Sequence, residues 1–185
     1  MNYIDLIEEK DAQGEVKEIY DALNQQMGMV PNILKGLANS PAALKAYTTL
    51  NGIIENGSFS SEEIQASLLA AAQVNQCYYC LSAHTAAAKA LGFTEEQTLQ
   101  LRSGTIEDEK LRALTRLVRE ITLQRGHPDP SLIKQFFDAG YTKAHFAELA
   151  PIVALKIISN YFHHMTEIPI DLPKAQELKE EKPAE

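Results

Sequence analysis

From Val16 to His164 the apolar residues recur at helical spacing, and no segment sustains the period-two alternation of a half-buried strand. A chain with that one period can bury its apolar stripes only by packing helix on helix. Val16, Ile19, Tyr20 and Leu23 form the first stripe, closed by Gly28. Pro31 suits the first position of a short helix that stops before Pro41, and another runs from about Ala42 to Glu55. Ser60 with Glu63 and Thr94 with Gln97 have the spacing of capping boxes. Asn75-Gln76 interrupts the helical pattern between the run ending at Val74 and the run from Cys77 to Leu91. Leu111, Leu114, Leu117, Val118 and Ile121 define a longer helix closing at Gly126, and Ser131 opens a short one ending at Gly140. Thr142 caps a last run to about His164, which Pro151 either kinks or divides. The expectation is an all-α fold of about eight or nine helices, with a two-helix hairpin over about residues 60–91.

With 185 residues the chain is long enough for one sizeable core, so residues 1–172 are expected to form a single helical domain. Past Pro169 the composition turns to Lys, Glu and Pro without an apolar stripe, and residues 173–185 are expected to be a flexible charged tail. A net charge of −8 argues against a nucleic-acid surface, which needs clustered Lys and Arg. No stretch approaches the ~20 apolar residues of a membrane helix. The N-terminus is acidic and lacks the basic and apolar regions of a signal peptide, so a cytoplasmic protein with reduced thiols is expected, with neither nucleic acid nor membrane as a partner.

Two Cys are too few for a disulfide scaffold, but their placement carries chemistry. Cys77 and Cys80 stand three apart, His84 follows four later, and at 100° per residue all three share one helix face. Unpaired N–H groups at a helix start favour a thiolate, and an imidazole one turn on can exchange a proton with sulfur. Such a dithiol can attack a peroxide or a partner's disulfide, one sulfur being oxidised and the other resolving it. Two other readings compete. The pair can be small core residues, or two of four zinc ligands with His84, in which case His145, His163 or His164 would have to complete the set. His163-His164 at a helix end suits carbonyl capping, and His127 lies in a Pro-rich loop. One of Tyr78 and Tyr79 is expected in the core, the other lining the approach to Cys80. Neither a Gly-x-Gly-x-x-Gly nor a P-loop is present, and no cofactor or metal is expected.

The Asn75-x-Cys77-x-Tyr79-Cys80-x-x-Ala83-His84-Thr85 run resembles the carboxymuconolactone decarboxylase and alkylhydroperoxidase D-like superfamily. Met29-Val-Pro-Asn-Ile-Leu with Ser40-Pro41, Arg125-Gly-His, Asp138-Ala-Gly-Tyr and Ser159-Asn-Tyr-x-x-His164 resemble its peroxidase-related branch. The likeness covers residues 15–172. It implies a thiol-dependent peroxidase or disulfide oxidoreductase that reduces hydroperoxides, with Cys80 attacking, Cys77 resolving and His84 relaying protons. It also implies a partner dithiol protein as reductant and a homo-oligomer, trimer or hexamer. The small residues of Leu68–Ala72 and Ala86–Ala90 would suit close helix contacts. The family's relay Glu falls on Gln65, which can orient His84 but cannot take up its proton. Tyr79 stands where the prototype has a His, and with Gln65 is a candidate relay or orienting residue. The alternatives are a non-catalytic redox-sensing helical oligomer and a carboxymuconolactone decarboxylase-type lyase; the decarboxylase branch lacks the paired Cys.

Overall fold

The computed structural model describes residues 3–178. Among them are nine α-helices and no strand: α1 Gly14–Met27, α2 Asn32–Leu37, α3 Pro41–Glu55, α4 Ser61–Val74, α5 Tyr78–Ala90, α6 Glu95–Ser103, α7 Glu109–Leu123, α8 Pro130–Asp138 and α9 Lys143–Thr166. The fold is all-helical as the periodicity requires. Pro31 proves to be the residue before α2 rather than its first turn. Both capping boxes form, Ser60 with Glu63 and Thr94 with Gln97. A third joins Thr142 to His145, which gives that histidine its structural role. Pro151 lies inside one continuous helix and does not divide it.

α4 is the axis of the molecule, packing against α5, α6, α7, α9 and α3. Ala and Ser let neighbouring backbones approach closely, and seven consecutive residues from Ala66 to Ala72 are buried in its middle. The small residues expected for close helix contact at Leu68–Ala72 are therefore consumed inside the chain. One face of α4, through Ala66, Leu69 and Ala72, joins a core with α1, α2, α5 and α6. The other, through Ile64, Leu68, Ala70 and Ala71, joins a second core with α7, α8 and α9.

α4 and α5 are joined by a tight turn. Asn75 caps α4, Gln76 takes a left-handed φ of 56°, and Cys77 is the N-cap of α5. A non-glycine residue in that region costs about 1–3 kcal/mol, which the packed hairpin must offset.

The chain after α9 departs from the expected tail. Residues 173–178 lie against the body: Ser82 Oγ on α5 accepts from the Ala175 N–H (3.1 Å), and the Gln176 carbonyl accepts from Arg102 Nη1 (2.6 Å). The physical reason is Arg102, buried on α6, whose guanidinium needs acceptors; Gln73 supplies another (2.8 Å). The rest of the expected tail, residues 179–185, lies outside the described residues.

Candidate active site

The hairpin brings Cys77, Cys80, His84 and Gln65 together. Cys77 Sγ accepts the Cys80 backbone N–H (3.3 Å), the bond an N-cap side chain makes, and its S–H donates to Cys80 Sγ (2.7 Å). Both thiols are free. Cys77 is wholly enclosed, while Cys80 faces a cavity of about 430 Å³. Its walls are mostly apolar, among them Leu23, Ile33, Leu34 and Leu68, and it reaches the surface at the exposed Gln26, Met27 and Glu55. Cys80 S–H points to Ser159 Oγ on α9 at 3.8 Å; once Cys80 ionises, that hydroxyl can turn and donate to it.

The two sulfurs are pushed in opposite directions. Cys80 is lowered to about 7, by the hydrogen bond from Cys77 first and then by the Lys156 charge and Ser159, against burial. Cys77 is pushed far up, because it donates its proton to Cys80 and is itself buried. Cys80, the sulfur that faces the cavity, is therefore the one that ionises first.

Because α4 and α5 run antiparallel, Gln65 falls opposite His84, and Gln65 Oε1 lies 2.9 Å from His84 Nδ1. On the other side of the ring, Lys156 Nζ is 2.5 Å from Nε2. Burial holds His84 well below the usual imidazole range, and the Lys156 charge lowers it further.

Lys156 and Ser159 are what sequence reasoning missed. Lys156 interrupts the apolar stretch Ala150–Ser159, yet Ile152, Lys156, Ser159 and Asn160 fall on the buried stripe of α9. A charged residue on a core-facing stripe was the available signal.

Tyr79 stands at the same cavity with other hydrogen-bond partners. Its ring lines the cavity, but its hydroxyl accepts the Ile33 N–H (3.1 Å) and donates to Asp171 Oδ1 (2.7 Å), not to His84. Tyr78 points outward and is exposed. Glu63 is committed to its cap and to Lys110. His163 Nε2 donates to the Ile168 carbonyl, and His127 is exposed. Among the described residues no three of His, Cys, Asp and Glu gather as a metal site would need. None of their helices is long and apolar enough to cross a membrane.

Residues 41–119, from the start of α3 into α7 and including the whole hairpin, match the carboxymuconolactone decarboxylase family. The structure is similar over 92% of both chains, with a TM-score of 0.82 and 17% identity, to an alkylhydroperoxidase AhpD core, an uncharacterized peroxidase-related protein from Ralstonia eutropha JMP134. The family match is confined to residues 41–119, and the fold is that of the alkylhydroperoxidase AhpD core. A peroxidase-related protein from Silicibacter sp. TM1040 is similar over 84% of both chains, at a TM-score of 0.73 and 20% identity. The debrominase Bmp8, in a Cys-to-Ala variant complexed with 2,3,4-tribromopyrrole, is similar over 92% of both chains, at a TM-score of 0.80 and 16% identity. At these identities the likeness establishes the fold, and one fold can house more than one chemistry. A comparison with curated protein sequences finds no match.

Proposed function

We propose that the protein is a thiol-dependent peroxidase that reduces hydroperoxides through the Cys77–Cys80 dithiol. The observation that carries this reading is the division of labour between the sulfurs: Cys80 faces the cavity, and Cys77 stands behind it within bonding reach and donates its S–H to it. The Cys80 thiolate attacks the terminal oxygen of R–O–OH, the O–O bond breaks, and Cys80 becomes a sulfenic acid. The leaving alkoxide takes a proton from the polar array Gln65–His84–Lys156. Cys77 then displaces the hydroxyl from the Cys80 sulfur, closing the disulfide and releasing water. A dithiol partner protein restores the thiols by exchange.

The cytoplasm, where thiols are kept reduced, fits this cycle. Homo-oligomerisation also fits, since Ile157, Ile158, Tyr161 and Met165 leave an exposed apolar stripe on α9.

Hydroperoxide consumption coupled to a dithiol reductant tests the reading. Cys80→Ser should abolish turnover. Cys77→Ser should complete one oxidation and leave a sulfenic acid that dimedone labels. Full turnover by Cys80→Ser would overturn the mechanism. Activity on a lactone that survives alkylation of both thiols would favour the lyase reading, and release of bromide from 2,3,4-tribromopyrrole without hydroperoxide reduction would favour a dehalogenase.

A further inference from the structure

A Glu-terminated relay would end in an anion, but the chain of contacts at this site ends in a buried cation. Gln65 Oε1 can only accept, so His84 Nδ1 carries the hydrogen between them. That leaves His84 Nε2 with a bare lone pair, and Lys156 Nζ donates to it. Lys156 is almost wholly buried, and none of the ion pairs among the described residues includes it. A buried ammonium needs a partner of opposite charge.

The groups facing it are few. α5 presents Cys80 and His84, with Cys77 behind; α4 presents the uncharged Gln65; α3 presents Tyr47 and, at the exposed rim, Glu55. α7 contributes the apolar Leu114, Leu117, Val118 and Ile121 to the core it shares with α9. Cys80, once ionised, is therefore the anion that answers Lys156 at the base of the cavity.

We propose that Lys156 is the proton donor to the leaving alkoxide, and that His84 and Gln65 are positioning residues holding its Nζ beside Cys80. This deepens the peroxidase reading and rests on it.

The protons balance through one cycle. The resting site holds Cys80–S⁻, Cys77–SH and Lys156–NH₃⁺. Attack on R–O–OH forms the S–O bond and expels RO⁻, which takes a proton from Lys156 to leave as ROH. The neutral Lys156 amine then accepts the Cys77 proton. The Cys77 thiolate displaces hydroxide from the Cys80 sulfur, and Lys156 returns that proton to make water. The oxidised site holds the disulfide and a neutral amine. A dithiol partner supplies two electrons and two protons, restoring Cys80–S⁻, Cys77–SH and Lys156–NH₃⁺ as its own disulfide forms.

Gln65 also acquires a reason. A carboxylate there would favour an imidazolium at His84, setting two cations against each other and removing the acceptor that holds Lys156. The amide keeps the ring neutral and its tautomer fixed.

The test separates charge from proton transfer. Lys156→Arg keeps a cation beside Cys80 but surrenders its proton far less readily, whereas Lys156→Met removes both. Oxidation is followed by stopped flow with cumene hydroperoxide, whose alkoxide must be protonated, and with peracetic acid, whose acetate need not be. The Cys80 thiolate is followed by its ultraviolet absorbance across pH, and circular dichroism checks each fold.

Lys156→Arg should lose about 100-fold or more with cumene hydroperoxide, stay within about threefold of wild type with peracetic acid, and keep its thiolate titration. Lys156→Met should in addition titrate at higher pH, and its peracetic-to-cumene rate ratio, taken where Cys80 is ionised, should rise by a similar factor. That ratio carries the test if the Arg variant fails to fold. An unchanged ratio in a folded variant would overturn the proton-donor role while leaving the peroxidase reading intact. A wild-type protein inert to both oxidants would sink the peroxidase reading itself.

Discussion

His84 is a histidine kept neutral by its surroundings, and that has a cost outside the chemistry. Its imidazole lies below the ordinary range because of burial and the Lys156 charge, and His163 is lowered in the same direction, first by burial. In the unfolded chain both bind a proton near pH 6.5. Below that pH, down to the folded value, the unfolded state holds more protons, so stability is complete above about 6.5 and is lost as pH falls. The limit is about 1.4 kcal/mol per pH unit for one histidine. Urea unfolding at pH 5.5 and 7.5 should show this loss, and His84→Gln should show a smaller one. The dithiol is present in both proteins, so its contribution largely cancels. Equal losses would mean that His84 is not the group under strain.

Tyr79 ties three elements that are distant in sequence. Its hydroxyl receives the first-turn N–H of Ile33 on α2 and holds Asp171, whose other oxygen accepts the Asn32 N–H (2.8 Å). The carboxylate thus satisfies an unpaired donor at the start of α2 from a segment beyond α9. Tyr79→Phe would strand the buried Ile33 donor, at a cost of about 1–3 kcal/mol. The expected result is a lower midpoint in denaturant with the Cys80 thiolate titration unmoved; a shifted titration with unchanged stability would return Tyr79 to the relay. The helices themselves were legible in the sequence, because stripe, cap and turn residues all act within a few positions. So was the Cys77–Cys80–His84 face, which one helix turn determines, and Gln65, which the hairpin sets opposite His84. Lys156 and the docked segment 173–178 were not. Each is held by a partner far along the chain, His84 for the one and Arg102 for the other, and no local spacing records such a pairing.

The cavity belongs to the whole molecule. Ile19 from α1, Ile33 from α2, Tyr47 from α3, Gln65 from α4, Cys80 from α5 and Lys156 from α9 all reach it, so its shape depends on every packing around the hairpin. About 430 Å³ is far more than the peroxide group alone requires, and the surplus is apolar wall where an organic substituent would lie. Gly52 tests that use of the space. It lines the cavity in the last turn of α3, and a Cβ added there meets nothing within 4 Å. Gly52→Leu should therefore strengthen the helix, by roughly 0.5–1 kcal/mol from propensity, while filling volume that a substrate would occupy. If the apolar wall binds the substituent, KM for cumene hydroperoxide should rise about fivefold or more, as about 1 kcal/mol of lost contact implies. Turnover of hydrogen peroxide, which needs only the Cys80 end, should stay within about twofold. A thermal melt should move up rather than down, so that reduced activity cannot be blamed on unfolding. Equal losses with both peroxides would mean that the side chain disturbs Cys80 itself, and no loss with either would mean that the organic group lies outside this cavity.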